Sequence, residues 1–116
     1  MSSRRDRDFV LDILEAIRRI RDYTQEISYV EFLGDTKTQD AVIRNPEVIG
    51  EAAKKVGPGV RKKYADVPWS IMARVRDRLI HHYFGVNFEV VWEIATGDLP
   101  RIAVELERIL TDLDEA

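Results

Sequence analysis

A chain of 116 residues, 45% hydrophobic and 34% charged, is sized and balanced for one compact domain spanning residues 1–116 and leaves no room for a second. Cysteine is absent, which excludes a disulfide scaffold, a zinc ribbon, a thiol nucleophile and an iron–sulfur site, and no stretch approaches the roughly 18 uncharged apolar residues of a membrane span. The formal net charge of −3 conceals an uneven distribution: residues 1–51 carry 8 basic and 11 acidic side chains, residues 52–83 carry 8 and 2, and residues 84–116 carry 2 and 8.

The opening Met1-Ser2-Ser3-Arg4-Arg5-Asp6-Arg7-Asp8 lacks the apolar core of a signal peptide, so a cytoplasmic location is expected. From Arg4 to Leu33, Val10, Ile13, Ile17, Ile20 and Ile27 fall on a spacing of threes and fours, which predicts one helix of about 30 residues. Its narrow apolar stripe suits either a partner helix or the interior of a bundle. Gly34 ends it, and Asp35 or Thr36 can cap the next helix. That second helix is predicted from about Lys37 to Val56 on Ala41, Val42, Val48, Ile49, Ala52 and Ala53, with Pro46 expected to kink or break it near Arg44 to Pro46.

Gly57-Pro58-Gly59 is a stop, and Val60 to Pro68 reads as a basic helical turn followed by a loop. Pro68 opens a third main helix carrying Trp69, Met72, Val75, Leu79 and Ile80 to about Tyr83, ended by Phe84-Gly85-Val86. Asn87 caps a short helix through Val90, Val91, Ile94 and Ala95 that Gly97 terminates, and Asp98 with Pro100 starts a last one carrying Ile102, Leu106, Ile109, Leu110 and Leu113. Strand-like alternation is almost absent, so the fold class is all-α: an antiparallel bundle of four to five helices.

The basic middle block holds Lys54, Lys55, Arg61, Lys62, Lys63, Arg74, Arg76 and Arg78 against Asp66 and Asp77. A local positive potential attracts a phosphate backbone even on an acidic chain, and Lys54, Lys55, Arg61, Lys62, Lys63 and Arg78 are the candidate RNA contacts. A solvated helix face accounts for the same residues, and the acidic C-terminal block can neutralise them within the fold or across a subunit contact.

The only two histidines, His81 and His82, adjoin this block in Arg76-Asp77-Arg78-Leu79-Ile80-His81-His82-Tyr83. An imidazole that titrates near neutrality can move the proton of a ribose 2'-hydroxyl or of a leaving oxygen. A guanidinium can stabilise charge on a phosphorane, so the pair suits phosphodiester cleavage without a metal. On a straight helix at 100° per residue Arg76 and Tyr83 share a face, whereas His81 lies about 140° from Arg76. Convergence therefore requires a bend at the helix end or two copies meeting across a dimer contact. Tyr83 as a core cap, Arg76 paired with a carboxylate and the histidines as helix-end cations is the plainer structural account. Adjacent histidines project about 100° apart and no spaced carboxylate–His pattern accompanies them, so no metal site is read and no cofactor is implied. There is no phosphate-binding glycine loop, and Ser70 has no base nearby in sequence.

Thr38-Gln39-Asp40-Ala41-Val42, Ile49-Gly50-Glu51-Ala52-Ala53, Val67-Pro68-Trp69, the run Arg76 to Val86, Val91-Trp92 and Asp98-Leu99-Pro100 occur in this order over nearly the whole chain. In this the chain resembles the HepT-like branch of the HEPN superfamily, small all-α ribonuclease toxins whose motif is Arg, four residues, His, any residue, Tyr. The resemblance implies a homodimer in which two motifs face one another, RNA cleavage by Arg76 and His81, and an orienting role for Asp77. His82 falls in the variable slot. It also implies a minimal nucleotidyltransferase antitoxin that transfers AMP to Tyr83 and silences the toxin. Pro46 departs from the ordinary helix former of the family. Two other readings stay open: a non-catalytic helical partner that binds a nucleotidyltransferase or nucleotide, and a purely structural bundle.

Overall fold

The computed structural model describes residues 2–75, 80–81 and 85–115, with the backbone alone at 2–4, 80–81 and 85–86. Helix α1, Ser2–Thr24, buries Val10, Ile13, Ala16, Ile17 and Ile20 almost completely, and each large aliphatic contributes about 1.5–3 kcal/mol by leaving water. The expected single helix to Leu33 is not formed. Thr24 Oγ1 turns back to the Ile20 carbonyl at 2.9 Å, and a second helix, α2, spans Tyr29–Leu33. Its start is a reciprocal cap: Ser28 Oγ accepts from the Glu31 amide at 3.1 Å while Glu31 Oε1 accepts from the Ser28 amide at 3.0 Å.

Asp35 caps α3, Thr36–Lys55, accepting from the Thr38 amide at 3.0 Å and the Thr38 hydroxyl at 2.6 Å, and these bonds hold its carboxyl below the usual carboxylate range. Gln39 ties α3 back to α2, its Nε2 donating to the carbonyls of Phe32 and Leu33 at 2.9 and 3.0 Å. Of the kink or break expected near Arg44 to Pro46, the break does not occur: the helix runs unbroken with Pro46 buried inside it. Pro46 has no amide for the Val42 carbonyl. Next to it, Asn45 Nδ2 donates to the Ala41 carbonyl at 2.9 Å, a contact within the helix that fills the polar site beside the gap.

The turn after α3 is fastened from both sides. Gly57 precedes α4, Pro58–Lys63, and its amide donates to the buried Asp6 carboxylate of α1 at 2.8 Å, an approach so close that a Cβ at Gly57 would lie 3.2 Å from Asp6 Oδ1. Tyr64, after α4, donates its hydroxyl to Asp112 at 2.6 Å, and Trp69 Nε1 donates to the Tyr64 carbonyl at 3.1 Å.

Helix α5, Trp69–Ala73, is shorter than the predicted third helix. Ile80–His81 (β1) is extended and pairs antiparallel with Gly85–Val86 (β2), Ile80 opposite Val86 and His81 opposite Gly85. The helix therefore does not reach Tyr83. β-Branched Ile80 and Val86 favour the extended pairing, which apolar helical spacing through Val75, Leu79 and Ile80 does not reveal.

Asn87 caps α6, Phe88–Glu93, accepting from the Val90 amide at 3.2 Å as expected. Gly97 does not terminate this segment, and Asp98 does not cap a new helix. A π-helical turn, Ile94–Asp98, leads directly into α7, Leu99–Glu115. The Leu99 amide donates to the Ile94 carbonyl, so the extra residue of the turn stands immediately ahead of Pro100, which has no amide to keep an α-helical register. α7 buries Leu99, Ala103, Leu106 and Ile109.

α1 packs most extensively on α3 and next on α7, and the molecule measures 46 × 30 × 20 Å. The fold is all-α, as predicted, with one two-residue strand pair among the described residues. Asp6→Ala removes the side chain that holds the Gly57 amide, with an expected loss of about 1–2 kcal/mol in urea unfolding. The hydrogen bond to Asp112, followed by burial, raises the Tyr64 pKa above its ordinary 10.0. A raised value in the folded state adds stability that is complete below the unfolded value and disappears as pH climbs through the folded one. The stability difference between the parent and Tyr64→Phe is therefore expected to stay constant up to about pH 9 and to shrink as pH rises above about 10, measured by urea unfolding at each pH.

Candidate functional site

Arg76, Asp77, Arg78, His82 and Tyr83 lie outside the described residues, and His81 is placed by its backbone alone, opposite Gly85 in the strand pair. The structure defines the frame around these residues. On the leading side the chain arrives from α5, whose Trp69, Met72 and following Val75 are buried. α5 lies so close to α3 that a Cβ built on Gly50 would stand 3.2 Å from the Ala73 carbonyl oxygen and 3.6 Å from that of Met72.

On the trailing side the chain leaves through Asn87 into α6, which is anchored by aromatic packing. Phe32 of α2 meets Phe88 edge-on, with ring centroids 6.1 Å apart and planes at 82°, and meets Trp92 at 5.2 Å. Tyr29 meets Trp92 at 5.9 Å. Such pairs add about 0.5–1.5 kcal/mol each beyond the area they bury. The flanking helices are thus each anchored, α5 by a backbone contact with α3 and α6 by an aromatic contact with α2. Apolar spacing points to neither anchor. Gly50 carried a signal nonetheless, because a glycine inside a helix costs about 1 kcal/mol relative to alanine and calls for a packing reason.

The candidate RNA-binding residues divide into two groups. Arg61 is committed to the fold: its Nε donates to the Val56 carbonyl at 2.8 Å and its Nη2 to those of Ala53 and Lys54 at 2.9 and 2.6 Å, capping the end of α3. Lys54, Lys55, Lys62 and Lys63 are exposed. Lys54 lies 3.7 Å from Glu51 on its own helix; Lys55 stands over the Phe9 ring and Lys63 over the Tyr64 ring, at 5.9 and 5.5 Å. Lys54 follows Gly50 by one turn, so it projects from the side of α3 that meets α5. The acidic C-terminal block does not neutralise these lysines by ion pairing among the described residues. Asp112 instead accepts from Tyr64, and Asp114 from Arg7 of α1 at 2.5 Å.

A groove of about 460 Å³ runs between the α4–α5 connection and α7, floored by Val67, Pro68, Ile71 and Ile102. Asp66, Asp98 and Glu105 outnumber Arg101 on its rim, a charge balance that repels a phosphate backbone. Among the described residues, no three His, Asp or Glu side chains gather to hold a metal ion.

Residues 13–109 match the family described as ribonuclease HepT-like, a span that takes in α2 to α6, the strand pair and the whole Arg76-to-Tyr83 segment. A protein of Methanocaldococcus jannaschii is 49% identical over 93% of this chain and 89% of its own length. A protein of Thermococcus cleftensis is 43% identical over 91% of this chain and 96% of its own, and a second from M. jannaschii is 43% identical over 99% of both. All three are named by inference as RNases, the Thermococcus protein as ribonuclease HepT. No solved structure matches. Agreement of this extent, across every helix that frames the motif, makes the chain a member of the HepT-like ribonuclease family.

Proposed function

We propose that the protein is a metal-independent endoribonuclease, the toxin of a toxin–antitoxin pair, active as a homodimer. The observation that carries this reading is the family match over residues 13–109, which includes the motif Arg76, His81 and Tyr83. In the proposed reaction His81 takes the proton of a ribose 2'-hydroxyl, and the 2'-oxygen attacks the adjacent phosphorus. The bond to the 5'-oxygen breaks, that oxygen takes up a proton, and a 2',3'-cyclic phosphate and a 5'-hydroxyl remain. Arg76 stabilises the charge that gathers on the phosphorane, and Asp77 orients the Arg76 or His81 side chain. One motif supplies one assigned imidazole; a dimer supplies two, enough for a base on the attacking side and an acid on the leaving side.

Lys54, Lys55, Lys62 and Lys63, with Arg78 from the motif, are the proposed contacts to the RNA backbone, and Arg61 shapes this corner through its carbonyl caps. Control rests on a nucleotidyltransferase antitoxin: the Tyr83 phenol attacks the α-phosphorus of ATP, pyrophosphate leaves, and the AMP added beside Arg76 blocks RNA by occupancy and by charge.

The primary test is incubation of total cellular RNA with the unmodified protein and with His81→Ala, in excess chelator. Cleavage by the parent alone is the expected outcome. Absence of cleavage by both, with intact mass showing Tyr83 unmodified, rejects the nuclease and favours a non-catalytic partner of a nucleotidyltransferase. Replacing Lys62 and Lys63 together by alanine is expected to leave stability within about 0.5 kcal/mol. The same double variant should weaken single-stranded RNA binding and flatten the slope of log affinity against log salt by about 1.4, read by fluorescence anisotropy at several salt concentrations.

A further inference from the structure

Gly50 stands in the interior of α3, away from either end, with a Cβ position that points at the backbone of α5 and not at a side chain able to move aside. Its hypothetical Cβ would meet the Ala73 carbonyl oxygen at 3.2 Å, the Met72 carbonyl oxygen at 3.6 Å and the Ala73 carbonyl carbon at 3.8 Å. These carbonyls close α5, where the Arg74 amide turns back to the carbonyls of Ile71 and Met72 and the helix ends. Arg76 follows Ala73 by three residues in the chain. The position of α5 against α3 therefore sets where the chain enters the motif.

Local energetics favour alanine at this position, since Gly in a helix interior costs about 1 kcal/mol relative to Ala. Gly97 is the useful contrast. It too lies within a helical segment, yet a Cβ there would meet nothing within 4 Å. The same substitution at the two glycines thus separates the effect of helix propensity from that of the α3–α5 contact.

We propose that Gly50 is a positioning residue for RNA cleavage: the absence of a side chain lets the end of α5 seat against α3 and fixes the entry of the chain into the Arg76-to-Tyr83 motif. The inference rests on the ribonuclease reading above. An alanine methyl must displace the Ala73 carbonyl by a few tenths of an ångström, and a displacement near 1 Å at a catalytic constellation can lower a rate by about 100-fold. The alignment of reacting groups is lost in the transition state while RNA contacts persist, so the effect falls on kcat and not on KM.

The test uses the full chain and a fluorogenic single-stranded RNA oligonucleotide carrying a site that the parent cleaves, with thermal melting of each variant. Gly50→Ala is expected to melt within a few degrees of the parent. Its kcat should fall about tenfold and its KM stay within about twofold, while Gly97→Ala keeps the parent kcat. Ala73→Gly, which keeps the carbonyl that faces Gly50 but frees the backbone that carries it, should lower kcat by itself and, combined with Gly50→Ala, return part of the loss because the freed end of α5 can yield. Parental kcat in Gly50→Ala overturns the proposal, as does a loss that follows the melting temperature alone. If Gly50→Ala fails to fold, unchanged kcat in Ala73→Gly overturns it. A parent that cleaves no RNA removes the ribonuclease reading and this inference together, an outcome distinct from equal cleavage by parent and variant.

Discussion

The approach of α5 to α3 at Gly50 and the stacking of Trp92 on Phe32 hold the two ends of the segment that carries Arg76, His81 and Tyr83, and both lead back to α3. Phe32 belongs to α2, a helix of five residues too short to stand without its caps. Gln39 of α3 supplies two of these by donating to the carbonyls of Phe32 and Leu33. α3 is fixed in turn by the buried stripe of α1 on one side and by Arg61 at its C-terminus. The described residues on either side of the motif thus lead back to one long helix through two short ones.

How much of this was legible depends on whether the governing interaction is local. Asp35 and Asn87 announce helix starts because a cap acts over three residues, and the structure places each where the sequence puts it, whereas Pro58, read as part of a stop, opens α4. The break between α1 and α2 escaped the pattern because Ile20 and Ile27 are seven apart, a spacing that a helix and a turn can both satisfy. Ser28 and Glu31 were the available sign. Gly97 misled for a different reason: it ends a helix in isolation, but a π-helical turn absorbs it and leads into α7, which has Pro100 in its first turn as expected. Arg61 looked like one more cation of the basic block. Its capping role depends on α4 folding back over the end of α3, which no spacing rule contains. The motif is a proposal made from residue types and order alone.

The charge of the basic corner survives a count that includes the backbone. Lys54, Lys55, Arg61, Lys62 and Lys63 contribute five positive charges and Arg5, over the same Phe9 ring as Lys55, a sixth, while Glu51 beside Lys54 and Asp6 beside Gly57 remove two. α3 and α4 both end here, and each helix end presents about half a negative charge through its open carbonyls, less for the short α4 and less again where Arg61 has capped them. About three positive charges remain. The lysines therefore serve the helix ends and still leave a field that attracts phosphate, so the structural and binding accounts of this block are compatible. The acid-rimmed groove at α7 has the opposite field, which favours the lysine corner as the approach for RNA.

α3 also contains its two poorest helix formers on one side. Pro46 and Gly50 are four residues apart, one turn, and both are buried. Relative to alanine they forgo about 4 kcal/mol of helix propensity, a large fraction of the 5–15 kcal/mol that typically holds a domain together. The helix nevertheless runs unbroken from Thr36 to Lys55. Asp35 satisfies its first amides, Arg61 its last carbonyls, and burial of Val42, Ile49, Ala52 and Ala53 adds the apolar contribution that propensity lacks. A helix selected for its own stability would place alanine at position 50. The strong caps at both ends and the glycine between them are explained together if the helix is stabilised where it is free of neighbours and thinned where α5 must come close.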